Sequence, residues 1–146
     1  SMAYGLMQML SPTAKETAKW LNVRRFKMPY DIFKPKNSVR FGTHFISRMS
    51  RKYKNIFPLA IASYNVGPGN LDRWLSHRTD MSEWEKFGES PDDDMWMDEL
   101  PWAETSFYVK AVLRNFLLYQ IIHGETDKLQ NPPWADGKVA SDKTAS

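Results

Sequence analysis

The sequence has no cysteine. That excludes a disulfide framework and a thiolate metal site, and leaves the compartment open. No run of apolar residues is long enough to span a bilayer. No stretch alternates apolar and polar residues over a useful length, so no substantial sheet is expected. Glycine is scarce, at 7 of 146 residues, and none of it forms a phosphate-cradling loop. The three histidines, His44, His77 and His123, are too far apart for metal-ligand spacing, and no Ser-His-Asp order suggests a nucleophilic triad. No metal and no cofactor are called for. The opening Ser1-Met2-Ala3-Tyr4 lacks the basic stretch of a signal peptide.

What remains is a chain of one-domain length with 42% apolar residues and 20 aromatics, enough for a real core. Its net charge of +3 is unevenly spread. Half of the 20 Lys and Arg fall between Arg24 and Lys54, and ten of the 17 acids fall between Asp80 and Glu104. Two solvated faces of opposite sign explain this most simply. The functional alternative is a basic flank that attracts an anionic wall polymer or a membrane surface. The basic residues sit on an amphipathic pattern without a nucleic-acid motif, which argues against nucleic acid as a partner.

Apolar residues recur at helical spacing in most of the chain. Ser11 reads as a helix N-cap with Pro12 at the first helical position, and Ala14, Ala18 and Leu21 form one face as far as Asn22. Residues 23–36, basic and carrying Pro29 and Pro35, read as a loop from which Asp31, Ile32 and Phe33 pack back on the core. A second helix starts at Asn37 or Ser38 and ends at Asn55. Gly42 inside it implies a close helix–helix approach. A third opens at Pro58 and runs into Ala62-Ser63-Tyr64-Asn65-Val66-Gly67-Pro68-Gly69, where the Gly-Pro-Gly turn stops it. A short helix follows from Asn70 to Ser76. Residues 79–94 read as a long acidic surface loop. Pro101 starts the last helix, which ends near His123 with Gly124 as its cap. The expected division is a helical domain over 1–124 and an extended or poorly ordered tail over 125–146.

Four elements carry a resemblance: Gly5-Leu6-Met7-Gln8 with Ser11-Pro12-x-Ala14; Phe33-x-Pro35-x-Asn37-x-Val39-x-x-Gly42; Tyr64-Asn65-x-Gly67-Pro68-Gly69; and Leu100-Pro101-x-x-Glu104-Thr105-x-x-Tyr108-Val109. In this order, over residues 3–122, they resemble the catalytic domain of soluble lytic transglycosylases. The resemblance implies an all-α, lysozyme-like fold lacking its first helix. It also implies cleavage of the MurNAc-GlcNAc β-1,4 bond of peptidoglycan with formation of 1,6-anhydromuramyl ends. In that family one glutamate gives the proton and then takes one back. It stands in a Glu-Ser pair ahead of the Gly-Leu-Met-Gln motif. The matching position here falls before residue 1, so the chain alone is expected to be inactive.

The resemblance casts Tyr64 and Glu104 as supporting catalytic residues. It makes Gln8, Tyr64, Asn65, Glu104 and Tyr108 substrate contacts. Each also has a plain structural reading. Gln8 suits a tight turn, Asn65 the Gly-Pro-Gly corner, and Glu104 the first turn of a helix. Glu104, Tyr108, Ala111, Asn115 and Tyr119 share one helix face. Ser106 stands where the family commonly has arginine, so an ion pair made there is absent. The resemblance further implies peptidoglycan strands as partner, and a periplasmic or envelope location. Membrane or wall association of the parent, and an upstream segment or partner chain that supplies the missing helix, are compatible with it. The competing functions are a goose-type lysozyme-like hydrolase and a non-catalytic glycan-binding remnant.

Overall fold

The structure is a computed structural model, and it describes residues 2–78 and 96–124. The acidic stretch 79–94 and the tail 125–146 lie outside the described residues. The chain divides into two compact units, Ser1–Arg48 and Met49–Ser146.

The amino-terminal unit begins with a two-residue strand, β1 (Ala3–Tyr4), paired antiparallel with β2 (Met9–Leu10), Tyr4 opposite Met9. Gly5 turns the chain between them at φ +72, where a side chain is disfavoured. Helix α1 (Ser11–Trp20) follows directly. Ser11 is not its cap: Leu10 holds that position without a side-chain bond, and the proline near the first turn, pre-set in φ, starts the helix. Ala14, Thr17 and Ala18 are its buried face.

After α1 the chain turns through Asn22 and Arg25, both at positive φ, and through a cis Met28–Pro29 bond. The Asp31 carboxylate accepts from the Lys27 N–H and the Lys34 ammonium, at 2.8 and 2.9 Å. Ile32 is fully buried, whereas Phe33 stays largely exposed and makes an edge-to-face contact with Tyr4. Helix α2 (Pro35–Lys52) opens two or three residues earlier than the sequence pattern suggests. Asn37 and Ser38 do not start it. The Asn37 amide donates to the Asp31 carbonyl, and the Ser38 hydroxyl accepts the Met7 N–H at 2.9 Å.

Phe41 and Phe45 form the buried stripe of α2, against Phe26 (4.9 Å) and Trp20 (6.2 Å). Arg48 caps Trp20 with its guanidinium 4.1 Å above the ring. Gly42 is small for a reason other than helix–helix approach. A Cβ there would lie 2.8–3.0 Å from the Met7 side chain, so the glycine admits the β1–β2 turn.

In the second unit, the end of α2 is fastened by Tyr53. Its hydroxyl donates to Asp72 at 3.0 Å, and Lys52 pairs with the same carboxylate. Helix α3 (Phe57–Val66) is apolar on every side, and Pro58 to Ser63 are all buried. A helix of that kind is a core helix. Fully burying Leu59 or Ile61 contributes about 2 kcal/mol each. Helices α4 (Pro68–Ser76) and α5 (Ala103–Ile122) pack against it. Gly67 ends α3 at φ +86, as the turn requires. Gly69 takes no such conformation. It lies inside α4, because Pro68 fits a first helical turn and lets the new helix start before Asn70. Thr105, Val109 and Leu113 make the buried face of α5. Among the described residues the only strands are β1 and β2, and no helix is long and apolar enough to cross a membrane.

Candidate active site

The second unit brings two of the sequence motifs into contact. Buried α3 delivers Tyr64 and Asn65 to its own end, where Gly67 stops the helix. Helix α5 presents Thr105, 2% exposed, toward them. The Thr105 hydroxyl donates to the Asn65 side-chain oxygen at 2.6 Å. The corner is further closed by the Asn70 amide, which donates to the Val66 carbonyl at 2.9 Å. Asn65 therefore does hold the corner, and its partner is the threonine of the Glu-Thr pair.

Tyr64 and Tyr108 are both half-buried. Burial pushes the Tyr64 hydroxyl well above the usual tyrosine range, and the neighbouring Tyr108 adds to the shift. Burial raises Tyr108 as well. Both phenols are thus neutral hydrogen-bond donors at any physiological pH. Glu104, one residue before Thr105, is exposed in the first turn of α5. It shares the face of Tyr108 by helical spacing.

Gln8 belongs to the other unit. It is exposed, sits at φ +49, and its side-chain amide donates to the Gly5 carbonyl at 2.8 Å. Its backbone N–H bonds the same oxygen at 3.0 Å. The amide is thus engaged by its own turn and keeps one N–H and its carbonyl for a ligand.

A general acid in glycoside cleavage needs a carboxyl group held protonated by an apolar setting. No described carboxylate has one. Asp31, Asp72, Asp98 and Glu99 are each ion-paired, with Lys34, Lys52, Lys110 and Arg78. Glu16 and Glu104 are exposed. Among the described residues no group of three or more His, Asp or Glu side chains gathers to hold a metal.

Thr105 is the site residue that the sequence motifs do not single out, because the charged Glu104 stands beside it. Its spacing of four from Val109, and of eight from Leu113, is the signal that marks it as inward-facing.

The chain belongs to a family defined by the Transglycosylase SLT domain, whose model matches residues 1–87. It is 29% identical over 129 residues to the soluble lytic murein transglycosylase of Salmonella typhimurium, covering 88% of this chain and 19% of that protein. It is 33% identical over 123 residues to a Haemophilus influenzae protein named as a soluble lytic murein transglycosylase by assignment, covering 84% and 19%. The crystal structure of the 70 kDa soluble lytic transglycosylase from Escherichia coli superposes with a TM-score of 0.70 at 26% identity, over 91% of this chain and 19% of that one. The lysozyme-like helical fold is therefore this chain's fold. The chain spans about a fifth of the length of the relatives it matches.

Proposed function

We propose that this chain is the glycan-cleaving part of a peptidoglycan lytic transglycosylase. It acts on the MurNAc-GlcNAc β-1,4 bond in the periplasm or cell envelope and leaves 1,6-anhydromuramyl ends. The observation that carries the reading is the Thr105–Asn65 bond, which joins the Tyr-Asn-x-Gly-Pro-Gly corner to the Glu-Thr helix. Membership of the transglycosylase family supports it.

The roles follow from the chemistry. Tyr64 and Tyr108 offer neutral hydroxyls to the sugar hydroxyl and N-acetyl oxygens, or to charge that builds up at the scissile bond. Glu104 accepts from a sugar hydroxyl or orients the acid. Asn65 acts through the corner it holds, and Gln8 offers its remaining amide valences to an N-acetyl group. The proton donor is the glutamate that the family carries ahead of its Gly-Leu-Met-Gln motif. That glutamate protonates the leaving oxygen. As the base, it then takes a proton from the sugar's own C6 hydroxyl, which attacks the anomeric carbon without water.

The test is digestion of purified sacculi by the chain alone and by the chain extended with the parent's upstream segment. Only the extended protein is expected to release anhydromuropeptides. In it, Tyr64→Phe and Glu104→Gln should each lower turnover by roughly 10²–10³ with little change in melting temperature. Release by the chain alone, abolished by Glu104→Gln, would overturn the assignment of the acid.

A further inference from the structure

A groove of about 750 Å³ runs beside α1 in the amino-terminal unit and has no part in the reading above. Lys15 and Lys19 stand one turn apart on α1 and so point to one side. Arg24 and Arg25 line the groove from the segment after the helix, and Val23 and Phe26 add apolar wall. Among the described residues none of these four cations makes a side-chain ion pair or hydrogen bond, unlike Lys34, Lys52, Lys110 and Arg78. Glu16, the single acid of α1, does not line the groove.

The wall is built in advance. The Val23 N–H is tied to the Ala18 carbonyl at 2.9 Å and the Asn22 N–H to that of Lys19 at 3.1 Å, which fixes the arginine segment to α1. Four like charges around one concavity focus a positive field that an anion relieves.

We propose that this groove binds a short peptide carrying several carboxylates. The lysines and arginines take the carboxylates, and Val23 and Phe26 pack on the peptide's methyl groups. The volume lies in the range of small-ligand sites rather than of an extended polymer track. A nucleic-acid strand would want successive aromatic platforms, and a membrane surface would want protruding apolar side chains. The groove has one ring and is concave. On the function proposed above, on which this identification rests, the peptide is the acidic arm of peptidoglycan.

The experiment is an NMR titration of the 146-residue chain with three probes: the free tetrapeptide arm, its fully amidated form, and inorganic phosphate. The tetrapeptide should shift the signals of Lys19, Arg24 and Phe26. Its affinity should fall at least tenfold on amidation and tenfold in the Lys19→Gln/Arg24→Gln double variant, with the melting temperature unchanged. Three results would overturn the proposal. They are no binding of the tetrapeptide, equal binding of the amidated form, or displacement by phosphate at equal concentration, which marks an unselective basic patch. Amidation is tested on the unaltered chain, so it does not depend on the variant folding. A parallel titration with chitooligosaccharide separates the two readings. If the sugar fails to bind while the tetrapeptide binds as expected, the glycan reading fails and the groove stands. The reverse outcome removes the groove alone.

Discussion

The two carboxamides that the motifs put forward, Gln8 and Asn65, end in opposite surroundings. Gln8 is exposed and bonds a carbonyl three residues back, inside its own turn. Asn65 stands at the end of a buried helix and bonds a hydroxyl forty residues on. The chemistry of the groups is the same, and the difference is what replaces a lost bond. Water can take over an exposed turn bond at little cost. A buried threonine hydroxyl has no such substitute, so its loss leaves an unsatisfied group. The first amide shapes a local turn, and the second fixes how two helices meet.

The comparison is broken most severely at Gly5. It supplies the carbonyl that Gln8 uses, at φ +72, and an added Cβ would lie 2.4 Å from the Ile32 carbonyl oxygen and 2.8 Å from the Ser38 hydroxyl. Backbone cannot swing aside as a flexible side chain does. Gly5→Ala is expected to cost about 3 kcal/mol, the upper end of ordinary point substitutions. Urea unfolding measures it. Gly42→Ala is the control: its Cβ would press on the Met7 side chain, which can move, and it should cost clearly less. Equal costs would mean that the turn is not the rigid part.

Next in size is the corner. Thr105→Val keeps the shape and removes the donor, leaving the Asn65 oxygen without its partner. The expected loss is about 2 kcal/mol. Asn65→Ala combined with Thr105→Val should cost less than the sum of the two, since each single change already breaks the shared bond. Strict additivity in that double-mutant cycle would show that the bond couples nothing.

A smaller and pH-dependent effect comes from the tyrosines. Tyr53 is raised by burial first and then by the charge and hydrogen bond of Asp72, while Tyr64 and Tyr108 are raised chiefly by burial. A folded value above the unfolded one, near 10, means that the folded chain holds its protons longer. The stability these groups contribute is complete below about pH 10 and is lost as the pH rises through their raised folded values. The denaturation midpoint should therefore hold up to about pH 10 and fall steadily as the pH rises above it. Tyr53→Phe should flatten that fall, and an unchanged slope would mean that the phenol is not held against ionisation.

The helices were legible because each leaves its own mark. Leu59 and Ile61 lie in an unbroken apolar run, Phe41 and Phe45 repeat at four, and prolines stand near the helix starts. The strands were not, since two residues are too few to show alternation. By sequence Pro35 reads as loop and Pro68 as part of a helix-ending turn, yet a proline is equally at home in a first helical turn, where its missing N–H has no partner to lose. At the site, Tyr64 and Asn65 stood out by motif. Thr105 did not, because which member of Glu104-Thr105 faces inward depends on where α5 lies against α3. The groove beside α1 was half visible: the sequence showed the crowd of positive charge, but not that Lys15 and Lys19 join it.

The smallest expected effect concerns Gln8 itself, and it sharpens the comparison most. Gln8 sits at φ +49, a conformation that costs a residue with a Cβ roughly 1 kcal/mol and costs glycine almost nothing. Gln8→Gly removes the exposed side-chain bond to Gly5, worth about as much, while relieving that strain. The backbone N–H still bonds Gly5. The two changes oppose each other, so stability should shift by no more than about 0.5 kcal/mol in either direction. If Gln8 also binds sugar, turnover of the upstream-extended protein must fall all the same, because the amide that meets the N-acetyl group is gone. A stable Gln8→Gly protein with full activity would leave Gln8 as a turn residue alone. A stable protein with reduced activity would separate its two roles, which Asn65, fixed in its corner, does not allow.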